Sequence, residues 1–350
     1  MTGRALATLL ACALLAGCSG LRYYAHVARG ELSLLAQREP LDHAVDDPRL
    51  ADDVRERLRH ALAARTFASG PLALPANRSY RSYVQLDRPY VTWSVFAAPE
   101  FSVEPVTHCF PFAGCVAYRG YFDRALAGRE AARLAARGND VAVRGVAAYS
   151  TLGWFADPIV SSMLRGGDDA LAGTIFHELA HQQVYLAGDT AFNESYASFV
   201  EQEGVREWRA ARGLPPANGA SALHDDVFTR RVLDLRERLR ALYAQGLPAP
   251  RLREAKAAAI DAFRERHGRE RDALFGDDHG YDAWVAAPIN NASLVPFGLY
   301  DAWTDAFARL FAACDRDWRR FHAAVRALAK QPPAGRARRL RQLSTGPTER

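Results

Sequence analysis

One segment of the 350-residue chain combines residue types that together can carry out hydrolysis. Residues 175–182 read Ile-Phe-His-Glu-Leu-Ala-His-Gln, and their apolar members predict a helix. On a helix, His177 and His181 lie four residues apart on one face, within reach of a single metal ion. Glu178 is displaced from that face by one residue, so it can take a proton from a metal-bound water. The segment therefore predicts one Zn²⁺ ion on the two histidines, with Glu178 as general base and then general acid.

A tetrahedral catalytic zinc site needs a third protein ligand. Glu194 opens the next predicted helix, with twelve residues between it and His181. Glu201 lies two turns further along the same face, with nineteen residues between it and His181. Because two helices joined by a short turn can place Glu194 opposite the two histidines, we predict Glu194 as the third ligand and Glu201 as the hydrogen-bond partner of a liganding histidine. Glu201 stays open as the alternative third ligand.

The first twenty residues have the pattern of a bacterial lipoprotein signal. One Arg precedes twelve uncharged residues, 5–16, all of them apolar except Thr8, which are too few to span a bilayer as a helix. The following segment, Leu15-Ala16-Gly17-Cys18, resembles a lipobox. That resemblance implies cleavage before Cys18 and acylation of its thiol and new amine, which is enough for stable membrane anchoring. An ordinary secretory signal with a coincidental Cys is the alternative.

Two chain segments follow from this interpretation: a signal peptide, 1–17, and a mature chain, 18–350, of 333 residues and net charge +4. Ser19 in place of Asp favours the outer membrane by resemblance to enterobacterial sorting. We therefore expect a protein of the bacterial cell envelope, attached by its lipid to a membrane and facing the periplasm. In that oxidising compartment Cys109 and Cys115, which bracket a Pro- and Gly-containing loop, could form a disulfide. Two reduced buried thiols are the alternative.

Composition limits the class of protein and its partners. The chain is 49% hydrophobic, 24% charged and 10% aromatic, which is typical of a globular protein with a substantial core. Its net charge is +5, but 40 acidic residues are interspersed among 45 basic ones. Because no face of a single sign is visible, the sequence argues against a nucleic-acid partner. The expected partners are a peptide substrate and, through the lipid, a membrane.

The periodicity of the chain predicts an α+β fold that is predominantly helical and has a small mixed β-sheet. We expect one domain over residues 18–350. Its parts are a helical and β-rich part over 18–165, a helical part with the zinc motif over 166–330, and a loose basic tail over 331–350. Strands are predicted over 90–96, over 115–118 and within 141–155. The piece Tyr149 to Phe155 is the best candidate for an edge strand that could bind a peptide by strand addition.

Four further residues are candidates for substrate contacts. A tyrosine hydroxyl can stabilise the oxyanion of a peptide carbonyl, and Tyr281 and Tyr300 follow the zinc motif. Asn290 and Asn291 could bind substrate backbone. For each of the four there is a structural alternative, either core packing or the capping of the helix predicted from about residue 292.

The metal motif and the helix after it resemble zinc peptidases whose third ligand is Glu. These are the thermolysin-like group and especially the aminopeptidases with an N-E-G-x-A-x-x-x-E helix, which Asn193 to Glu201 matches in part. By this resemblance the Asn-Glu pattern assigns the ligand to Glu194 and the downstream acid to Glu201. The spacing of the thermolysin-like group would instead assign the ligand to Glu201. The whole chain resembles a bacterial family of zinc aminopeptidase lipoproteins. The segments that carry this second resemblance, besides the zinc motif, are Tyr23-Tyr24, Ser79–Tyr83, Arg88–Val91, Cys109–Pro111, Gly114–Phe122, Tyr149–Phe155 and Asn290–Ala292.

This resemblance implies a zincin-like fold and an aminopeptidase that cuts peptides near a free N-terminus. Within the peptidase class, an endopeptidase acting on envelope proteins is the alternative, because the sequence does not identify an anion that would bind the substrate's α-amine. From a different class, the chain could be a non-catalytic envelope lipoprotein with a structural zinc site. Glu178 argues against that alternative, since a structural site does not require it.

Overall fold

A computed structural model describes residues 3–110, 114–216, 219–300 and 303–345. Within these ranges it describes the side chains of all residues except 3–19, 219–222, 299 and 300. Helices predominate among these residues, and the described strands are short and lie within residues 39–160. The described chain is therefore of the α+β class that the sequence predicts.

Helices occupy the first part of the chain and most of the chain after residue 166. Their bounds are α1 (Gly3–Ala36), α2 (Leu41–Ala44), α3 (Asp52–Ser69), α4 (Arg124–Ala135), α5 (Gly167–Gln183), α6 (Thr190–Ala211), α7 (Gly219–Tyr243), α8 (Ala249–Phe275), α9 (Asp282–Ala286), α10 (Asn291–Tyr300), α11 (Thr304–Ala313), α12 (Trp318–Ala329) and α13 (Pro333–Thr345). Local sequence explains several of the helix starts. Asp123, Asp189 and Asp317 each accept a hydrogen bond from a first-turn backbone N–H of α4, α6 and α12.

In the described part of the chain, the strands form two three-stranded sheets and a hairpin, rather than one mixed sheet. Their bounds are β1 (Glu39–Pro40), β2 (Ser82–Val84), β3 (Thr92–Pro99), β4 (His108–Phe110), β5 (Gly114–Val116), β6 (Tyr118–Tyr121), β7 (Asn139–Val146) and β8 (Ile159–Val160). The sheet β6-β3-β7 is antiparallel, and β1-β2-β8 is mixed because β2 and β8 run parallel. β4 and β5 pair as a hairpin, with Cys109 opposite Cys115.

The largest hydrophobic core is built around α6. Every residue from 192 to 200 is buried, because this helix is surrounded by α5, α11 and other helices. Phe192 and Phe199 of α6 pack against Phe307 and Phe311 of α11. A separate core cluster joins α7, α8, α9 and the start of α10. The helices with the predicted zinc ligands therefore belong to the larger core, where packing holds them in place.

The antiparallel pair α5 and α6 approaches closely at small residues. A Cβ added to Gly173 of α5 would lie 3.0 Å from Oε1 of Glu201, and a Cβ added to Gly204 of α6 would lie 2.9 Å from the side chains of Leu72 and Phe176. Ala197, between the two predicted glutamates, is fully buried. Small side chains at these points let the two helix backbones come near enough for their polar side chains to meet.

Residues 149–155 form a loop, so the prediction of an edge strand there is wrong. Strand β7 ends at Val146, and Leu152 and Gly153 both have positive φ, at 56° and 83°. The Thr151 backbone N–H donates to the carboxylate of Asp157, 3.0 Å away, instead of to a neighbouring strand. The outer strands of the antiparallel sheet are β6 and β7.

Residues 333–345 form α13, so the prediction of a loose basic tail is wrong over that range. Leu340 is buried, and Arg336 is buried against Asp189, whose carboxylate lies 2.8 Å from the guanidinium nitrogen Nη2. The sequence pattern was misleading because a run of arginines is usually solvated, whereas one of these pairs with a helix-capping acid. Residues 346–350 lie outside the described part of the chain.

In the part of the chain whose residues are described, no helix is both long and apolar enough to cross a membrane. Helix α1 runs without a break from Gly3 past Cys18 to Ala36. The side chain of Cys18 lies outside the described residues, so its predicted acylation stays a prediction.

Candidate metal centre

The predicted metal residues lie on two helices joined by a short turn. His177, Glu178 and His181 lie on α5, which ends at Gln183. The chain then turns through Gly188, whose φ of 82° favours glycine, and Asp189 caps α6 by accepting from the Phe192 N–H, 3.1 Å away. The turn therefore reverses the chain and starts α6 in time to bring Glu194 opposite the two histidines.

Three side-chain atoms converge on one point between these helices. The Nε2 atoms of His177 and His181 are 3.2 Å apart, and Oε2 of Glu194 lies 3.4 Å from the first and 3.6 Å from the second. Tetrahedral zinc with bonds of about 2.0–2.1 Å separates its ligand atoms by about 3.3–3.4 Å. The distances and the donor types, two imidazoles and one carboxylate, therefore fit a zinc ion. We call these three residues the metal triad.

Glu201 contacts His177 at the other ring nitrogen, Nδ1. Its Oε2 lies 2.9 Å from Nδ1 of His177, which donates the hydrogen bond. This contact fixes the ring so that Nε2 points at the triad centre, as an outer partner of a metal-bound histidine does. The geometry thus separates the two candidates, because Glu194 contacts both histidines at Nε2 while Glu201 contacts only the far side of one.

The electrostatics of the triad suit a cation. Burial alone would lower the pKa of His177, but hydrogen bonds and charges from Glu194 and Glu201 raise it well above its ordinary value. For Glu194, burial acts to raise the pKa, yet the two imidazoles hold it far below its usual range. The buried carboxylate is thus ionised beside two histidines, an arrangement that supplies negative charge where a metal ion would sit.

Glu178 lies beside the triad without being part of it. Burial raises the pKa of its carboxyl group, the charges of Glu194 and Glu201 act in the same direction, and the two imidazoles oppose the shift. A raised pKa brings a carboxylate closer to the value that proton transfer at neutral pH requires. Its position one residue after His177 is the one that the motif predicts for a general base.

Three tyrosines lie within electrostatic reach of Glu178 or Glu194, and the sequence patterns predict none of them for this role. They are Tyr80, Tyr118 and Tyr185. Burial raises the pKa of each phenol, and the charge of Glu178 adds to the effect at Tyr80, while that of Glu194 adds to it at Tyr118 and Tyr185. Each hydroxyl therefore keeps its proton near neutral pH and can donate a hydrogen bond close to the triad.

Only one of these tyrosines had a sequence signal. Tyr185 follows His181 by four residues, and the two ring centroids are 6.5 Å apart, so helical spacing could have identified it. Tyr80 comes from a loop, where its φ is 60°, and Tyr118 comes from β6. Nothing in local spacing connects either of them to the motif.

The structure places the other predicted substrate residues elsewhere or outside its described part. Tyr281 packs in the separate core cluster, where its ring stacks on Phe228 and its hydroxyl donates to Asp225, so it does not reach the triad. Hydrogen bonds of Asn290 and Asn291 connect the start of α10 to β7 and to the end of β3. Asn290 donates to the Val141 carbonyl, and Asn291 donates to the carbonyls of Pro99 and Glu100. The side chain of Tyr300 lies outside the described residues.

The predicted cysteine pair is present as a disulfide between β4 and β5. This hairpin packs against the turn that joins α5 to α6, because a Cβ at Gly114 would collide with the backbone of Gly188. The disulfide therefore stiffens a hairpin that abuts the turn between the two metal-triad helices.

Comparison with known proteins identifies a family but no individual relative. Neither the curated proteins nor the solved structures include a significant match to the chain. A family model described as "Putative aminopeptidase" matches residues 22–340, which include the metal triad, Glu178 and Glu201. Because this match covers most of the 350 residues, the chain belongs to that aminopeptidase family.

Proposed function

We propose that this protein is a zinc-dependent aminopeptidase that is anchored by a lipid at the periplasmic face of the outer membrane. Membership of the aminopeptidase family supports a peptidase. The observation that carries the zinc dependence is the metal triad, whose three donor atoms lie 3.2–3.6 Å apart with Glu178 beside them. The helical architecture around it is compatible with the zincin-like fold that the resemblance implies.

Each residue of the site has a separate role in the proposed hydrolysis. His177, His181 and Glu194 would hold one Zn²⁺ ion, which when bound supplies Lewis acidity to a carbonyl and lowers the pKa of water. Glu178 takes the proton of the attacking water and passes it to the leaving amine. Tyr118, whose hydroxyl lies within electrostatic reach of both Glu178 and Glu194, is the best-placed donor to the developing oxyanion.

The test is a comparison of bound metal and peptidase activity in the full chain and in Glu178→Gln. A panel of fluorogenic peptides, each with a free and with an acetylated N-terminus, separates exopeptidase from endopeptidase cleavage. We expect about one zinc per chain in both proteins, cleavage of free N-termini only, and a loss of about 10²–10⁴ in kcat/KM for Glu178→Gln. Glu56→Gln, an exposed change on α3, is the matched control.

Each contrary outcome identifies the part of the proposal that fails. Absence of metal would refute the triad as a metal site. Equal cleavage rates for acetylated peptides and for peptides with a free N-terminus would show that the protein is an endopeptidase. Bound zinc with no cleavage by either protein across the panel would favour the non-catalytic lipoprotein with a structural zinc site.

The membrane part of the proposal is supported by the exposed side of α1. Leu21, Tyr24 and Leu32 are 72%, 46% and 63% exposed, and their spacing places them on one face of the helix that follows Cys18. Such a face is typical of helices that lie in the headgroup region of a bilayer. We therefore expect α1 to continue along the membrane surface from the lipid.

Mass spectrometry of the N-terminal peptide of the mature chain tests the anchor. We expect a chain that begins at Cys18 and has the added mass of a diacylglyceryl group and an amide-linked acyl chain. The variant Cys18→Ser should keep residues 1–17 and lack lipid. A mature N-terminus elsewhere, or an unmodified Cys18, would refute the anchor and leave the proposed peptidase activity unaffected.

A further inference from the structure

Two large aromatic side chains are exposed on the loop between β7 and β8. Trp154 is 68% exposed and Phe155 is 49% exposed. A single exposed apolar residue is ordinary, but two adjacent large aromatic residues on a loop form a local apolar patch of the kind that marks binding sites. We call residues 150–156 the aromatic loop.

The aromatic loop is held in one conformation by hydrogen bonds. The buried carboxylate of Asp157 accepts from the Thr151 backbone N–H at 3.0 Å and from the Thr151 hydroxyl at 2.7 Å. The Thr151 hydroxyl oxygen in turn accepts from the Phe155 N–H at 3.0 Å. Leu152 and Gly153 are kept at positive φ between these contacts, a costly conformation for Leu. The loop therefore presents its aromatic residues in a fixed place, as a binding surface requires.

The aromatic loop lies against the helix that carries the predicted general base. A Cβ at Gly153 would lie 3.5–3.7 Å from the side chain of Gln182, and the Gln182 amide lies 3.4 Å from the carboxylate of Asp157. Gln182 follows Glu178 by four residues, so both side chains project from one face of α5. The loop thus borders the face of α5 on which Glu178 lies, next to the metal triad.

The electrostatic effect of Glu178 on its neighbours supports the placement of the aromatic loop beside Glu178. Burial raises the pKa of Asp157 to about 6, and the charge of Glu178 acts in the same direction. Burial raises the pKa of the Tyr80 phenol, and the charges of Glu178 and Asp157 act in the same direction. The acid that fixes the loop and the predicted general base are therefore within electrostatic reach of each other.

We propose that Trp154 and Phe155 form a substrate subsite that binds an apolar or aromatic side chain next to the scissile bond of the peptide. This inference rests on the proposed peptidase function. Transfer of a Leu- or Phe-sized side chain from water to an apolar surface favours binding by about tenfold to a hundredfold. The aromatic loop would in this way set a preference for apolar residues, while the metal triad and Glu178 act on the peptide bond itself.

The test uses the full chain reconstituted in phosphatidylcholine vesicles and peptides that differ only beside the scissile bond, with Leu, Phe or Ser there. Trp154→Ala and Phe155→Ala should lower kcat/KM for the Leu and Phe peptides about tenfold or more, mainly through KM, and leave the Ser peptide unchanged. Trp154→Phe should restore most of the loss. Leu247→Ala, a change of another exposed apolar residue, is the matched control.

A binding measurement separates failure of this inference from failure of the proposed function. In the Glu178→Gln background, fluorescence anisotropy of a labelled Leu peptide should show weaker binding after Trp154→Ala. Binding that depends on Trp154 without cleavage by any protein would refute the peptidase and support the subsite. Cleavage with the same preference for Leu and Phe over Ser in all variants would refute the subsite and support the peptidase. If the aromatic changes alter only binding to the vesicles, the loop is a membrane contact and the subsite is wrong.

Discussion

Glu194 and Glu201 project from the same helix toward His177, yet they meet different atoms of that ring. Glu194 reaches Nε2, 3.4 Å away, where it also meets His181, while Glu201 binds Nδ1 at 2.9 Å. The two acids lie seven residues apart, so both face α5. Their different positions along α6 thus determine which nitrogen of the His177 ring each acid contacts.

This difference predicts unequal losses of metal affinity. Glu194→Ala removes one of three protein ligands and should weaken zinc binding by more than a thousandfold, whereas Glu201→Ala loosens one ring and should cost about 10–100-fold. Competition against a chelator of known affinity measures both. A larger loss for Glu201→Ala would exchange the roles assigned to the two residues.

A second residue-scale prediction concerns Glu31 of α1, which is only 6% exposed. In the described part of the chain neither of its carboxylate oxygens has a hydrogen-bond partner, and burial raises its pKa from 4.5 to about 7. A folded-state pKa above the unfolded value means that the folded chain binds more protons, so stability falls as pH rises from about 4.5 to 7. The cost is complete above pH 7, at about 3 kcal/mol.

Glu31→Gln should remove this cost because the amide carries no charge at any of these pH values. Urea unfolding should give equal stabilities for variant and wild type near pH 4.5 and a variant that is more stable by about 3 kcal/mol at pH 8. Glu56→Gln, an exposed change on α3, is the matched control. A constant difference across the pH range would contradict the raised pKa.

At the scale of elements, α13 supports the start of α6. Arg336 of α13 lies 2.8 Å from Oδ2 of Asp189, and the other carboxylate oxygen of Asp189 caps α6 five residues before Glu194. The guanidinium of Arg336 also donates to the Gln331 carbonyl at 2.8 Å. The last helix of the chain therefore holds in place the helix start that positions a triad residue.

Removing this contact should destabilise the protein. Arg336→Ala leaves a capping carboxylate without its partner and should cost about 1–3 kcal/mol in unfolding free energy. Arg338→Ala, an exposed change on the same helix, should stay within about 0.5 kcal/mol of wild type. Equal effects of the two changes in denaturant unfolding would show that α13 contributes nothing specific at Asp189.

Local patterns identified the elements that act through near neighbours in sequence. The zinc motif could be placed on a helix because His177 and His181 are one turn apart, and the capped start of the following helix brought Glu194 into the prediction. Strand propensity predicts a strand over residues 149–155, since Tyr149, Thr151 and Phe155 favour strands. The loop conformation depends instead on hydrogen bonds from Thr151 to the side chain of Asp157. Strand propensity does not reveal such contacts.

At the scale of the whole molecule, the unpredicted parts of the site come from contacts between distant segments. The charge of Glu178 acts on the pKa values of Tyr80 and Tyr118, which precede it by 98 and 60 residues. Arg336 contacts Asp189 across 147 residues of chain. No spacing rule covers such separations, because tertiary packing alone determines which loops and strands surround a helix. Resemblance to a family covered most of the chain but did not identify Tyr80, Tyr118 or Tyr185 as residues of the site.

The central claim is that His177, His181 and Glu194 hold one zinc ion, and anomalous diffraction at the zinc absorption edge tests it most directly. From crystals of the zinc-loaded chain we expect one strong peak at about 2.0–2.2 Å from Nε2 of each histidine and from a carboxylate oxygen of Glu194. Glu201 should remain on Nδ1 of His177, outside bonding distance of the peak. A zinc-loaded crystal with no peak there, or a peak bonded to Glu201 in place of Glu194, would contradict the account.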